Sequence, residues 1–319
     1  MSATFYNPNQ MKRFSILLPF FLIIGSCKQH DYKEGAAHRQ EANYRQISTP
    51  AYELDLPDSA PNAVLVLFGG YPEVAEDIKR EFKILEQAKE HKIAIAFSNF
   101  NRKLWMEEDE LRELADSLKE IFKGNKLPND NIYLGGFSSG GNVALLIGDY
   151  LTENTNLEIA PKGVFAIDPP VDLAALYLSA EKNIQRNFSA DAVREGNFLI
   201  EMLGARFGNP AKNLEQYEKY AVYTSQTGNV DNIKNLKNTR IRMYTEPDSL
   251  WWKDQRMEDY DQMNAFYIKR LSGVLKRQGF TEITYLPTEN RGYRANGERH
   301  PHSWSIVNAD SLITWMLNE

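Results

Sequence analysis

The sequence predicts an α/β protein built on a doubly wound, mostly parallel sheet, and three observations carry that prediction. Short, almost uninterrupted apolar runs recur at 62–68, 92–97 and 163–168, as strands buried on both faces require. Segments of helical character separate them, at 73–91, at 107–123 and from Val143 onward, so strand and helix alternate. The 319 residues, 42% of them hydrophobic, suffice for a core that buries roughly three quarters of the unfolded chain's surface.

Residues 1–26 read as a signal peptide with Met11 as its start. Lys12 and Arg13 form a basic end, an apolar run follows, and Gly25 and Ser26 are small. The apolar run is too short for a comfortable membrane span. Residues 27–47 are polar, charged and without periodicity, the pattern of a flexible tether, and His30 and His38 within it read as solvated. Residues 48–319 then form the folded domain. An edge strand is expected over 48–56, interrupted by Pro50.

The strand at 62–68 leads into Gly69-Gly70-Tyr71-Pro72-Glu73, and a strand at 132–134 leads into Gly136-Phe137-Ser138-Ser139-Gly140. Strands resume at 239–244 and 282–286, a long helix is expected over 254–278, and a final helix runs to Met316. The interval 171–238 is far longer than an ordinary connection, with helical segments expected at 191–207 and 213–223.

A G-x-S-x-G placed between a strand and a helix puts its serine on a sharp turn, with small residues two positions either side so that the two elements can approach. A phosphate-cradling loop would end in G-K-[ST], and Gly140-Gly141-Asn142 stands there instead. At these residues the chain resembles the α/β-hydrolase superfamily of serine hydrolases, from about Asn62 to the C-terminus. The resemblance implies that Ser138 is a nucleophile and that 171–238 is a helical cap over the site. It also implies an oxyanion hole from the Ser139 N–H and one N–H of Gly70 or Tyr71, although the histidine of an H-G-G-G loop is missing.

A serine hydroxyl needs a base, and the base needs an anion. The superfamily's chain order is serine, acid, histidine, which leaves only His300 and His302, since His91 lies at the wrong edge of the sheet. His302 is preferred, because His302-Ser303-Trp304 precedes the last helix. Asp248, just past the strand that follows the cap, is the expected acid; Glu246 and Asp168 are the alternatives. Trp251, Trp252 and Arg256 are candidates to shape the substrate pocket. His300-Pro301-His302 could place two imidazoles on one ion, but without H-E-x-x-H no metal is expected, and no cofactor either.

Ile24-Gly25-Ser26-Cys27 resembles a bacterial lipobox, and Cys27 is the single cysteine in the chain. The resemblance implies lipidation at Cys27 and anchoring in a bacterial envelope, with the outer membrane favoured by Lys28 and the domain facing the periplasm or exterior. One cysteine permits no disulfide framework. Loss of 1–26 takes Lys12 and Arg13, and no acid, from 37 basic and 43 acidic residues, leaving a net charge of −8; nucleic acid is therefore not an expected partner. The expected activity is hydrolysis of an ester with a small or moderately polar acyl group through Ser138, His302 and Asp248. A peptidase is the second reading, and a non-catalytic envelope binding protein the third.

Overall fold

The computed structural model describes residues 43–100 and 103–318. The expected signal peptide, Cys27, His30, His38 and the tether as far as residue 42 lie outside them. The strands are β1 (Tyr44–Ser48), β2 (Tyr52–Pro57), β3 (Ala63–Phe68), β4 (Ile93–Ser98), β5 (Ile132–Phe137), β6 (Pro161–Ile167), β7 (Arg240–Thr245) and β8 (Ile283–Pro287). They form one sheet in the order β1-β2-β4-β3-β5-β6-β7-β8. From β4 to β8 every pairing is parallel; β1 and β2 add an antiparallel hairpin at one edge.

Strand side chains alternate between two apolar layers, as a pleat of period two demands. Val64, Val66 and Phe68 face α3 (Glu108–Asn125), α4 (Ser139–Glu153) and α9 (Asn264–Arg277). Leu65, Leu67 and Tyr133 face α1 (Ala75–Glu81), α2 (Leu85–Glu90) and α10 (Ala309–Leu317). Both faces being covered explains why the parallel strands read as unbroken apolar runs.

The long interval contributes α5 (Leu173–Arg186), α6 (Ala190–Phe207) and α7 (Pro210–Glu218), which bury a third apolar cluster that includes Tyr177, Leu203, Phe207 and Tyr217 with Leu104 and Trp105. Arg206 at the end of α6 also grips the Glu107 carboxylate at 2.8 and 3.0 Å, and this bonding holds the Glu107 pKa down at about 2.

Several boundaries differ from expectation. Pairing starts at Tyr44, inside the expected tether, and Pro50 lies in the β1–β2 turn, where its missing N–H removes no ladder bond. The helix expected over 73–91 is two helices, broken where buried Phe82 leaves helical geometry and stacks on Trp304 at 5.0 Å. The helix expected over 254–278 begins earlier, as α8 (Ser249–Arg256), and stops at Met257 in left-handed geometry; the turn to α9 is drawn aside by Asn183 and Arg186 of α5, which bond Glu258, Asp259 and Gln262. In the interval after β6, α5 was not expected at all.

Candidate active site

Ser138 joins β5 to α4 at φ 53° and ψ −127°, a conformation that costs a non-glycine residue roughly 1–3 kcal/mol. The surroundings enforce it. Ser138 N–H donates to the Ile167 carbonyl at 2.8 Å, and Gly141 N–H to the Ser138 carbonyl at 2.9 Å. A Cβ on Gly136 would lie 2.0 Å from the Gly140 carbonyl oxygen, and one on Gly140 would lie 2.3 Å from that of Phe68, so only hydrogen fits at the two flanking positions.

Asp168 follows β6 as Ser138 follows β5, and Phe137 and Ile167 are register partners, so the two residues leave neighbouring strands at the carboxyl edge of the sheet. Asp168 is only 6% exposed and also takes a positive φ, 46°. Its N–H donates to the Tyr244 carbonyl, its Oδ1 accepts from the Thr245 hydroxyl, and its Oδ2 lies 2.7 Å from His302 Nδ1. The His302 ring packs on Phe137 with centroids 4.5 Å apart, which brings the imidazole beside the residue preceding Ser138. Ser138, Asp168 and His302 line one cavity of about 120 Å³ under α5 and α6.

The expected acid, Asp248, does not reach the imidazole. Its Oδ1 accepts the Trp251 N–H at 3.0 Å, which caps α8, and its Oδ2 accepts from Arg299 at 2.6 Å. Glu246 is committed as well. It is buried, accepts the Arg291 N–H at 2.9 Å and the Thr288 hydroxyl at 3.0 Å, and pairs with Arg299 at 2.5 Å. The two carboxylates past β7 therefore fasten the loop that leads to His302, while the carboxylate past β6 contacts the ring.

Of the expected oxyanion donors, Ser139 opens α4, where helix geometry leaves backbone N–H groups without an intrahelical acceptor. Gly70 lies against the nucleophile turn, since a Cβ on it would be 3.0 Å from Ser138 Cβ. Both N–H groups of the loop have acceptors within the protein: Gly70 donates to Glu73 Oε2 and Tyr71 to Ser139 Oγ, each at 2.8 Å. Trp304 Nε1 also donates to that Glu73 oxygen, and burial raises the Glu73 pKa. The Tyr71 ring instead stacks on Phe198 of α6 at 5.6 Å, bridging the loop and the cap.

Trp252 and Arg256 line the cavity, and Trp251 packs on His300 at 4.7 Å. His300 Nδ1 is sealed from solvent without a hydrogen-bond partner among the described residues, and burial first, then Arg294, pushes its pKa down to about 3. The remaining polar lining, Ser179 and Asn183 of α5, Glu195 of α6, Glu258 and Gln262 before α9, and Asn264 at its start, was not singled out from sequence. The unrecognised helix α5 and the break before α9 explain why.

No family model matches this chain, and no curated protein does. Similar solved structures include carboxyl esterase 2 from the mycorrhizal fungus Tuber melanosporum, at 15% identity over 87% of this chain and 86% of that one, with a TM-score of 0.52. An esterase of Rhizomucor miehei is similar at 12% identity over 86% and 82%, TM-score 0.52, and esterase B of Lactobacillus rhamnosis at 11% over 87% and 87%, TM-score 0.50. The chain has the α/β-hydrolase fold, with its acid candidate at the end of β6.

Proposed function

We propose that the protein is a serine hydrolase that cleaves esters of small or moderately polar acyl groups, with Ser138 as nucleophile, His302 as general base and acid, and Asp168 as the anion that orients His302. The observation that carries this is the 2.7 Å contact between His302 Nδ1 and Asp168 Oδ2, made by two residues that share a cavity with a strained Ser138. With Nδ1–H given to Asp168, the imidazole keeps its Nε2 lone pair for the serine proton. Ser138 Oγ then attacks the ester carbonyl, His302 takes the proton and returns it to the departing alcohol, and water repeats the sequence on the acyl-enzyme.

The negative oxygen of the tetrahedral intermediate is held by the Ser139 N–H at the start of α4. A second donor from Gly70 or Tyr71 requires the loop to give up its contact with Glu73 or with Ser139 Oγ when substrate enters. The names of the structural neighbours, esterases among them, support the ester over other acyl substrates. Anchoring in a bacterial envelope through Cys27 belongs to the same proposal.

A fluorophosphonate probe tests it. Covalent labelling of the wild-type chain and none of Ser138→Ala is expected, together with hydrolysis of nitrophenyl acetate by the former alone. Undiminished labelling of Ser138→Ala would refute the assignment.

A further inference from the structure

Part of the cavity lining, from α5 and the segment before α9, is polar, although an acyl chain needs nothing polar there. Ser179, Asn183, Glu258 and Gln262 are each less than 9% exposed, and all four line the cavity that holds Ser138 and His302. Burying such groups is unfavourable unless each finds a partner. Most do. Asn183 Nδ2 donates to Glu258 Oε1 at 2.7 Å, Arg256 Nε donates to the same oxygen at 3.1 Å, and Gln262 Nε2 reaches Ser179 Oγ and Asn183 Oδ1 at 3.3 Å. Arg256 Nη2 is taken by Glu195 at the cap rim.

Two valences are left over. Among the described residues neither the second carboxylate oxygen of Glu258 nor the Nη1 of Arg256 has a partner, and both residues line the cavity. One is an acceptor and the other a donor, on side chains already bonded to each other. A substrate carboxylate here would meet the charges of Glu258 and Glu195, and an ammonium would meet Arg256, so either ion faces a like charge. A hydroxyl donates and accepts at once and matches both free atoms. Trp252, against which Arg256 lies at 5.7 Å, adds an aromatic surface for the C–H groups of a compact polyol.

Resting on the serine-hydrolase reading above, we infer that the ester this site accepts carries a neutral polyhydroxylated group, of the glycerol or sugar type, bound between Glu258 and Arg256 with Trp252 beside it. These residues determine specificity and do not touch the bond being broken. Hydrogen bonds to charged side chains set the scale, about tenfold to a hundredfold in kcat/KM for each hydroxyl recognised.

The test compares acetate esters that differ only in the alcohol: glycerol monoacetate and an acetylated methyl glucoside, which separate the two sources of polyol, beside butyl acetate and acetylcholine. One or both polyol esters are expected to exceed butyl acetate and acetylcholine by about tenfold or more in kcat/KM. In Glu258→Gln and Arg256→Leu that ratio is expected to fall toward one, with Arg256→Lys between. Because these substitutions disturb a buried network, inhibition of nitrophenyl acetate hydrolysis by free glycerol or methyl glucoside is measured in the wild-type chain, and competitive inhibition is expected. Preference for butyl acetate or acetylcholine, or no inhibition by either polyol, overturns the inference. Fluorophosphonate labelling of Ser138 persisting in that case leaves the serine-hydrolase reading standing, whereas its absence removes both.

Discussion

His302 Nδ1 lies 2.7 Å from Asp168 Oδ2, and Asp248, 51 residues from Arg299 in sequence, turns to Arg299 instead. The division of labour follows from where the strands end. Asp168 leaves β6 beside the nucleophile turn and takes a left-handed conformation that Asp tolerates better than most residues, with its other oxygen fixed by Thr245. Asp248 sits one turn further on, as the cap of α8.

The two carboxylates are thereby separable by substitution. Asp168→Asn is expected to lower kcat on nitrophenyl acetate by about 10³- to 10⁴-fold, because an amide oxygen cannot stabilise the imidazolium and its NH₂ favours the wrong tautomer. Asp248→Asn keeps the cap, since Asn caps as well as Asp, and leaves Glu246 on Arg299; less than about a tenfold loss is expected. A larger loss at 248 than at 168 would return the acid to the position expected from sequence.

Attachment to a membrane is a separate matter with its own readout. Cys27 is the single cysteine and follows Ile24-Gly25-Ser26, and among the described residues no helix is long and apolar enough to cross a bilayer. In a bacterial host, Cys27→Ser is expected to move the protein from the membrane fraction to the soluble fraction, or to leave an unprocessed precursor. Unchanged fractionation counts against the lipid anchor.

The parallel strands were legible because burial on both faces leaves little but apolar residues, and the nucleophile turn because Gly136 and Gly140 are sterically required around Ser138. What escaped depends on contacts distant in sequence. The break at Phe82 is set by Trp304, and the break after Arg256 by Asn183 and Arg186. The acid is decided in the same way. Asp168, Glu246 and Asp248 each follow a strand, and nothing in their local sequence says which one meets an imidazole more than fifty residues away; that depends on Arg299 claiming two of them. The polar part of the cavity lining is assembled from three segments, none of which is distinctive alone.

His300 gives the fold a pH dependence that can be isolated. Its ring packs against Trp251 and Trp252, at 4.7 and 5.9 Å; burial is the main reason its protonated form is disfavoured, Arg294, His302 and Arg256 add to it, and a backbone hydrogen bond at His302 offsets them only in part. Its pKa is held at about 3, against an ordinary value near 6.5. Above about pH 6.5 both folded and unfolded chains carry the ring neutral, and it has no effect. Below that, the unfolded chain binds a proton that the folded chain refuses, so stability falls with falling pH until about pH 3, with a ceiling of roughly 1.4 kcal/mol per pH unit. His300→Phe keeps an aromatic ring against the tryptophans and cannot titrate. Urea unfolding of both proteins at pH 7.5 and pH 4.5 is expected to show the wild type losing about 1–2 kcal/mol more than the variant over that interval, after allowance for partial exposure of the ring. The acidic residues titrate in both proteins and cancel in the comparison. Parallel losses in the two proteins would mean that the ring accepts its proton in the folded state, and would remove His300 as a source of acid sensitivity.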